Sequence, residues 1–418
     1  MPDNNLSIGR FYLSYLTFLS VNKRWLVGGL LLTMFSGFGQ TFFISLSSAD
    51  LREEFDLSHG DFGLIYMLAT LGSALVLPWV GRSVDSFPIQ RVAAAVMIVL
   101  ATFCIAMANV SSIWMLVFVI FGLRLSGQGM MTHTSQTAMG RWFSAQRGRA
   151  VSVANLGLPA AESIFPVLFV MIAGLVGWRL SWAIAAGVLL IFVLPTISWL
   201  LRQNRQPQNP DLGGRNAEGR QWTRGEVLRD PVFWAISCGT LAPPFILTAI
   251  LFNQVYLVTL RGWTLELFAG AFVVMAMTSV ISSLTCGALV DRFSARQLLP
   301  FLLLPLALAC LVLAQIHAFP AVFAFMALLG ISNGLNSTMS GALWAEIYGV
   351  RHIGAIRSIA VAMMVFASAA GPGLIGVLID YRVPYDSQLV GMSVYCLLAT
   401  AVLAYATWAV KNRVLFVT

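Results

Sequence analysis

Apolar residues along the chain gather into twelve runs of similar length, separated by short polar stretches. The runs lie at roughly 25–48, 61–81, 90–109, 113–140, 150–176, 180–201, 231–258, 266–290, 297–316, 320–346, 355–379 and 388–410. About 20 apolar residues carry a helix across a bilayer. The pattern therefore predicts an all-α membrane protein with twelve transmembrane helices. One polar stretch is much longer than the others. Residues 202–230, rich in Arg, Asn, Gln, Gly and Pro, read as a linker between a six-helix bundle at 1–201 and a second at 231–418. The stretch Trp222–Trp234 at its end is expected along the membrane surface. Ser58-His-Gly-Asp61 reads as a capping box opening the second helix, with Asp in place of Glu. His59 within it reads as a solvated loop residue. Pro243-Pro244 predicts an interruption in the seventh run.

Composition agrees with a bilayer protein. Hydrophobic residues make up 58% of the 418 positions and charged residues 10%, against roughly 25% charged in soluble domains. The net charge of +8 raises the question of nucleic acid, and its distribution answers it. Assigned to alternate sides of the runs, twenty Lys and Arg fall on one side and four on the other, and Arg124 alone lies inside a run. This skew predicts both termini in the cytoplasm, with lipid headgroups rather than nucleic acid as neighbours. The first run is longer than a signal-peptide core and reads as a retained helix. Cys104, Cys238, Cys286, Cys310 and Cys396 all sit in apolar runs, without metal-ligand or disulfide spacing. No clustered nucleophile, acid–base pair or Gly-Lys-Ser/Thr loop stands out. The chain reads as no enzyme, with no metal and no cofactor.

A short stretch occurs twice. Gly81-Arg-Ser-Val-Asp85, followed by Arg91, is matched 206 residues later by Gly287-Ala-Leu-Val-Asp291-Arg292, followed by Arg296. Both copies lie between apolar runs, and the same offset pairs Phe62 with Phe268, Ser73 with Ser279, Gly148 with Gly354 and Pro166 with Pro372. A fixed offset over this length marks an internal repeat. The motif resembles the cytoplasmic signature of the major facilitator superfamily, found after helices 2 and 8. Arg124 followed by glycines, and Arg141-Trp-Phe-Ser-Ala-Gln-Arg147-Gly-Arg149, resemble further stretches of that family. The resemblance implies two pseudo-symmetric six-helix halves, alternating access, and a central cavity lined by helices 1, 4, 7 and 10. Gly81, Asp85, Arg91, Gly287, Asp291, Arg292 and Arg296 then form a conformational gate. The two glycines allow helices to approach closely, and Asp85 is expected near 351–357 and Asp291 near 147–150.

Polar residues inside the runs supply the candidate site. Gln40, Arg124, Gln128, Asn253, Gln254, Asn333 and Asn336 fall on helices 1, 4, 7 and 10. Each is costly against lipid and should face protein or a wet cavity, so each reads either as a substrate contact or as an interhelical hydrogen bond. Arg124 favours a small organic anion. Glu162, the lone charge in the fifth helix, is the candidate proton carrier. Two opposite charges at one depth on neighbouring helices are expected to pair when the site is empty. Glu346-Ile-Tyr-Gly-Val-Arg351-His-Ile-Gly354 and Gly371-Pro-Gly373 resemble bacterial porters of the monocarboxylate and oxalate–formate type. The Lys of helix 1 and the Asp–Arg pair of helix 8 found in animal-type monocarboxylate porters have no counterpart, so that coupling scheme does not carry over. The reading is a monomeric secondary transporter of a small organic anion, a monocarboxylate among the candidates, coupled to protons in a bacterial inner membrane. Proton-driven efflux of amphiphiles and a non-transporting sensor are the alternatives.

Overall fold

Among the described residues, eleven helices are long and apolar enough to cross a membrane, and a twelfth crossing is made if the pair Thr17–Gly39 and Thr41–Phe55, bent by 43°, is one span. The structure, a computed structural model, describes residues 4–143, 147–203, 222–349 and 353–415; side chains at 4–16, 85, 147–148, 291, 341–342, 345, 353–355, 358 and 411–415 lie outside the description. We label the bent pair α1. It is followed by α2 (His59–Gly81), α3 (Ile89–Ala108), α4 (Ile113–Trp142), α5 (Arg149–Val176) and α6 (Trp178–Leu200). After the linker come α7 (Pro231–Phe252), α8 (Leu265–Val290), α9 (Ala295–Gln315), α10 (Ala321–Ser340), α11 (Ile359–Asp380) and α12 (Tyr385–Val410). Every apolar run falls on one of these elements.

Local signals explain several boundaries. Ser58 Oγ accepts from the Asp61 amide at 3.0 Å and Asp61 accepts from the Ser58 amide at 3.2 Å, which closes the capping box of α2. In α7 the helix stops at Thr240 and resumes at Ala242, because Pro243 and Pro244 have no amide hydrogen to continue the ladder. The end of the 202–230 stretch is tied to the end of the helix that continues α10. The Trp222 amide donates to Tyr348 O at 3.1 Å, and Tyr348 Oη donates to Asp230 at 3.0 Å. Tyr348 ends the helix that continues α10.

The first run departs from its predicted unbroken helix. After Phe35 the chain tightens into a 3₁₀ turn over Ser36–Gly39, Gln40 is extended at φ −88° and ψ 157°, and Thr41 restarts the helix. The cause lies in α4, where Arg124–Met131 is wound as a π-helix. Such widened turns are frequent at functional sites. Here the π turn receives the break in α1 backbone against backbone. A Cβ on Gly127 would stand 2.6 Å from Gly39 Cα, and one on Gly39 would overlap Leu123 O. Gly39→Ala is expected to destabilise the protein by about 1–3 kcal/mol, since backbone cannot yield as a side chain does. A fall of several degrees in the melting temperature of purified protein would register it; an unchanged melt would show that the crossing tolerates a methyl group.

The two halves of the sequence meet along two helix pairs, α2 with α11 and α5 with α8. Within the second half, α8 and α10 pack through small polar residues, with Ser283 and Thr338 hydroxyls 2.8 Å apart. Small side chains let backbones approach where lipid supplies no hydrophobic drive.

Candidate functional site

A cavity of about 240 Å³ opens at the centre of the bundle. Gln40 and Thr41 of α1, Gln128 of α4 and Glu162 of α5 line one side. Ser332, Asn333 and Asn336 of α10, with Thr248 of α7 and Ser368 of α11, line the other. Pro243, Pro244, Leu247 and Leu251 make an apolar wall from α7. Five of the residues singled out by polarity, Gln40, Gln128, Glu162, Asn333 and Asn336, thus share one chamber. The break in α1 delivers Gln40 to it, and the proline break in α7 shapes the facing wall.

Arg124 stands behind the chamber rather than in it. It is 1% exposed, with Nη1 3.2 Å from Gly39 O and 3.4 Å from Thr41 Oγ1. Its guanidinium carbon lies 5.3 Å from the centre of the Tyr66 ring, a cation–π contact. The expected pair with Glu162 is not formed. Among the described residues no ion pair involves either group, and Arg124 Nε and Glu162 Oε2 are buried without hydrogen-bond partners. Their helices aim the two charges differently: Arg124 toward α1 and α2, Glu162 into the cavity.

Asn253 and Gln254 also depart from expectation. Neither lines the central cavity. Asn253 Nδ2 returns to Ala249 O at 2.9 Å, and Gln254 Nε2 donates to Phe42 O at 3.0 Å and to Ser45 Oγ at 2.9 Å. Gln254 thereby joins the two halves of the chain in a closed layer on the side of Asp380. Ser45 donates to Leu251 O at 2.9 Å, and Phe252 stacks on Phe62 with ring centroids 5.1 Å apart and meets Tyr66 at 4.6 Å. These side chains are almost fully buried.

Asp380 completes this closure. Its carboxylate accepts from the His59 amide at 3.1 Å and the Gly60 amide at 2.7 Å, capping α2 from the end of α11. His59 is half-buried, not solvated. Its Nε2 lies 3.1 Å from Arg52 Nη1, and its ring packs edge-on to Tyr256 at 4.6 Å. A guanidinium only donates, so this imidazole nitrogen accepts. Sequence reasoning missed Thr41, Tyr66, Arg52 and Asp380. The available signals were that Thr41 is a hydroxyl within the first apolar run, next to Gln40, and that Asp380 stands at the edge of the eleventh.

The repeated motif lies at the opposite end, near the linker. A Cβ on Gly81 would meet only the His133 side chain at 3.4 Å, and Gly287 has open space around it. The close helix approach expected at these glycines is therefore absent, because α2 and α11 are drawn together at the Asp380 end instead. Arg91 and Arg292 are exposed, the latter over its neighbour Phe293. Arg296 pairs with Glu346 at 3.5 Å, and Glu346 also accepts from the Ala295 amide at 2.8 Å. Arg141 donates to Val84 O at 3.2 Å. Each motif loop is thus held by the helix end of its own half. The expected approaches of Asp85 to 351–357 and of Asp291 to 147–150 rest on residues outside the described ones.

The comparisons extend this geometry. The sequence profile of the Major Facilitator Superfamily matches residues 29–282 and 257–414. A hexuronate transporter of Bacillus subtilis (strain 168) is 22% identical over 392 residues, covering 85% of this chain and 88% of that protein. Two crystal structures of a bacterial homologue of the human lysosomal transporter Spinster share the fold. The inward-facing unoccupied form aligns with a TM-score of 0.71 at 15% identity, over 94% of this chain and 98% of that one. The inward-facing occupied form aligns at 0.70 and 16%, over 91% and 96%. With matched stretches running almost from end to end, and helices broken around one central chamber, this chain belongs to the Major Facilitator Superfamily.

Proposed function

We propose that this chain carries a small hydroxylated organic anion together with a proton, through the chamber lined by Gln40, Gln128, Asn333, Asn336 and Glu162. As a member of the superfamily it is a secondary transporter of small molecules, working by alternating access. The observation that carries the finer reading is the wall chemistry. Four carboxamides face a cavity of about 240 Å³, and a buried guanidinium without a carboxylate partner among the described residues stands behind one of them. Carboxamides both donate and accept, which suits hydroxyl groups. An unneutralised cation away from water favours an anion nearby. The hexuronate named for the Bacillus relative combines a carboxylate with several hydroxyls. A bare monocarboxylate, which the local phrases of helices 10 and 11 suggest, leaves the amides unpaired.

Glu162 in the same chamber supports proton coupling. An ionised carboxylate repels an incoming anion at close range; a proton on Glu162 removes the repulsion, so the two arrive together. The bundles 1–201 and 231–418 serve as the moving bodies, joined by the 202–230 linker. The basic skew supports assigning the Asp380 end to the outside of a bacterial inner membrane and both termini to the cytoplasm. Closed packing at the Asp380 end, with exposed His133, Gln136 and Asn155 toward the linker end, fits a state facing the cytoplasm. One chain holds the whole chamber, which supports a monomer.

The apolar wall of Pro243, Pro244, Leu247 and Leu251 favours a second reading, export of an amphiphile. Proteoliposomes separate the two. With an inward proton gradient, labelled glucuronate should accumulate above equilibrium and fall back when a protonophore is added. Extrusion of a lipophilic dye with no glucuronate or lactate movement would favour the amphiphile. Movement of none of these would return the sensor reading.

A further inference from the structure

Thr41 lines the chamber beside Gln40, and its hydroxyl has an unusual set of neighbours. Arg124 Nη1 lies 3.4 Å from Thr41 Oγ1, and Tyr66 Oη lies 2.6 Å from it. A guanidinium has no acceptor, so Arg124 donates. Tyr66 is wholly buried, and Thr41 is the one hydrogen-bond partner its hydroxyl has among the described residues. Were Thr41 to donate to Tyr66, the phenolic proton would be left buried and unpaired, at a cost of about 1–3 kcal/mol. Tyr66 therefore donates as well. With both lone-pair directions of Thr41 Oγ1 filled, its own proton has no acceptor among the described residues and is left for the chamber. Donation from a cation into a hydroxyl also polarises it, which strengthens the bond it makes in turn.

Arg124 does a second thing. Its Nη1 reaches Gly39 O and Thr41 Oγ1, the residues on either side of extended Gln40. The guanidinium thus holds the break in α1 that presents Gln40 and Thr41 to the cavity.

We propose that the Thr41 hydroxyl receives the carboxylate of the transported anion, and that Arg124 is a positioning residue that polarises Thr41 and brackets Gln40 without touching the substrate. This rests on the organic-anion reading above. The anion sits against the α1 break, and the charge that selects it acts through one intervening hydroxyl. A neutral sugar of the same shape then gains nothing from Thr41 beyond an ordinary hydrogen bond.

Binding of glucuronate and of glucose to purified protein, each measured by calorimetry, tests the proposal. Wild type should prefer glucuronate. Thr41→Val, which keeps the shape and removes the hydroxyl, should weaken glucuronate by roughly tenfold to a hundredfold, the span of a hydrogen bond to a charged group. Glucose should change by less than about threefold, within ordinary neutral hydrogen-bond loss, and Thr41→Ser should restore the preference. Arg124→Gln should collapse the glucuronate-to-glucose ratio, whereas a merely structural role would weaken both ligands alike. If that variant does not fold, Tyr66→Phe serves instead. It removes one of the two donors that polarise the Thr41 hydroxyl, weakens the bond that hydroxyl gives in turn, and should lower the same ratio. Thr41→Val binding glucuronate as wild type does would overturn the proposal. Wild type binding neither glucuronate nor lactate would instead overturn the organic-anion reading, and this inference with it.

Discussion

Glu162→Gln should abolish proton-driven accumulation while leaving substrate exchange intact. The substitution keeps the side chain's size and its place in the chamber and removes its capacity to take up a proton. For one proton per anion, a gradient of about one pH unit supports roughly tenfold accumulation, since about 1.4 kcal/mol corresponds to a factor of ten. In the variant that ratio should fall to equilibrium. Counterflow, in which unlabelled glucuronate inside draws labelled glucuronate in, should proceed at a rate close to wild type and lose its dependence on pH. The absence of an ion pair with Arg124 sharpens this expectation. A carboxylate locked in a structural pair would take folding yield down with it when replaced, whereas Glu162 has one oxygen with no hydrogen-bond partner among the described residues. A Glu162→Gln protein that still accumulates glucuronate with the wild-type pH profile would eliminate this residue as the proton carrier.

Asp380→Ala should shift the protein toward the state open at the Asp380 end, by roughly two- to fivefold. The carboxylate accepts from two backbone amides at the start of α2, across the junction between the two halves of the sequence. Capping a helix N-terminus contributes about 0.5–2 kcal/mol, and the negative charge there is further favoured by the helix dipole. Asp380 is itself exposed, so the lower part of that range is the reasonable expectation. About 0.5–1 kcal/mol is a factor of roughly two to five in an equilibrium constant. Because this contact exists only while α2 and α11 are together, its loss penalises the closed end alone. A cysteine at Ser45, in the closed layer, should become more reactive toward a small impermeant thiol reagent in the Asp380→Ala background. Exposed Cys238 and the four buried cysteines must first be replaced. Unchanged reactivity together with unchanged transport would mean that the aromatic layer of Phe62, Tyr66 and Phe252 holds the end shut without help from the cap.

Where function is concerned, the two results bear on separate steps. Glu162 concerns what is coupled to the substrate; Asp380 concerns how often the chamber faces each side. Distinct defects in the two variants, lost accumulation in one and altered access in the other, are the signature expected of alternating access around a fixed site.

The sequence by itself determined that the chain is all-α and where its apolar helices lie, because each stretch of a membrane helix must match its solvent and satisfy its backbone locally. The capping box at Ser58 and the interruption at Pro243 were legible for the same reason: the chemistry that makes them is contained within a few residues. Polarity inside an apolar run also told truly that Gln40, Gln128, Glu162, Asn333 and Asn336 avoid lipid. It could not tell a chamber from a seal. Gln254 and Asn253 carry the same signal, yet Gln254 closes the junction with Phe42 and Ser45. Only the tertiary structure decided which way each polar side chain faces, since that depends on helix rotation and on neighbours far along the chain. The break at Gln40 arises from Gly39 meeting a π turn in α4, and Arg124 is turned from Glu162 by partners on α1 and α2. The cap on Gly60 comes from an aspartate 320 residues away. No local pattern encodes such a contact, because its energy appears only when the halves of the chain have met.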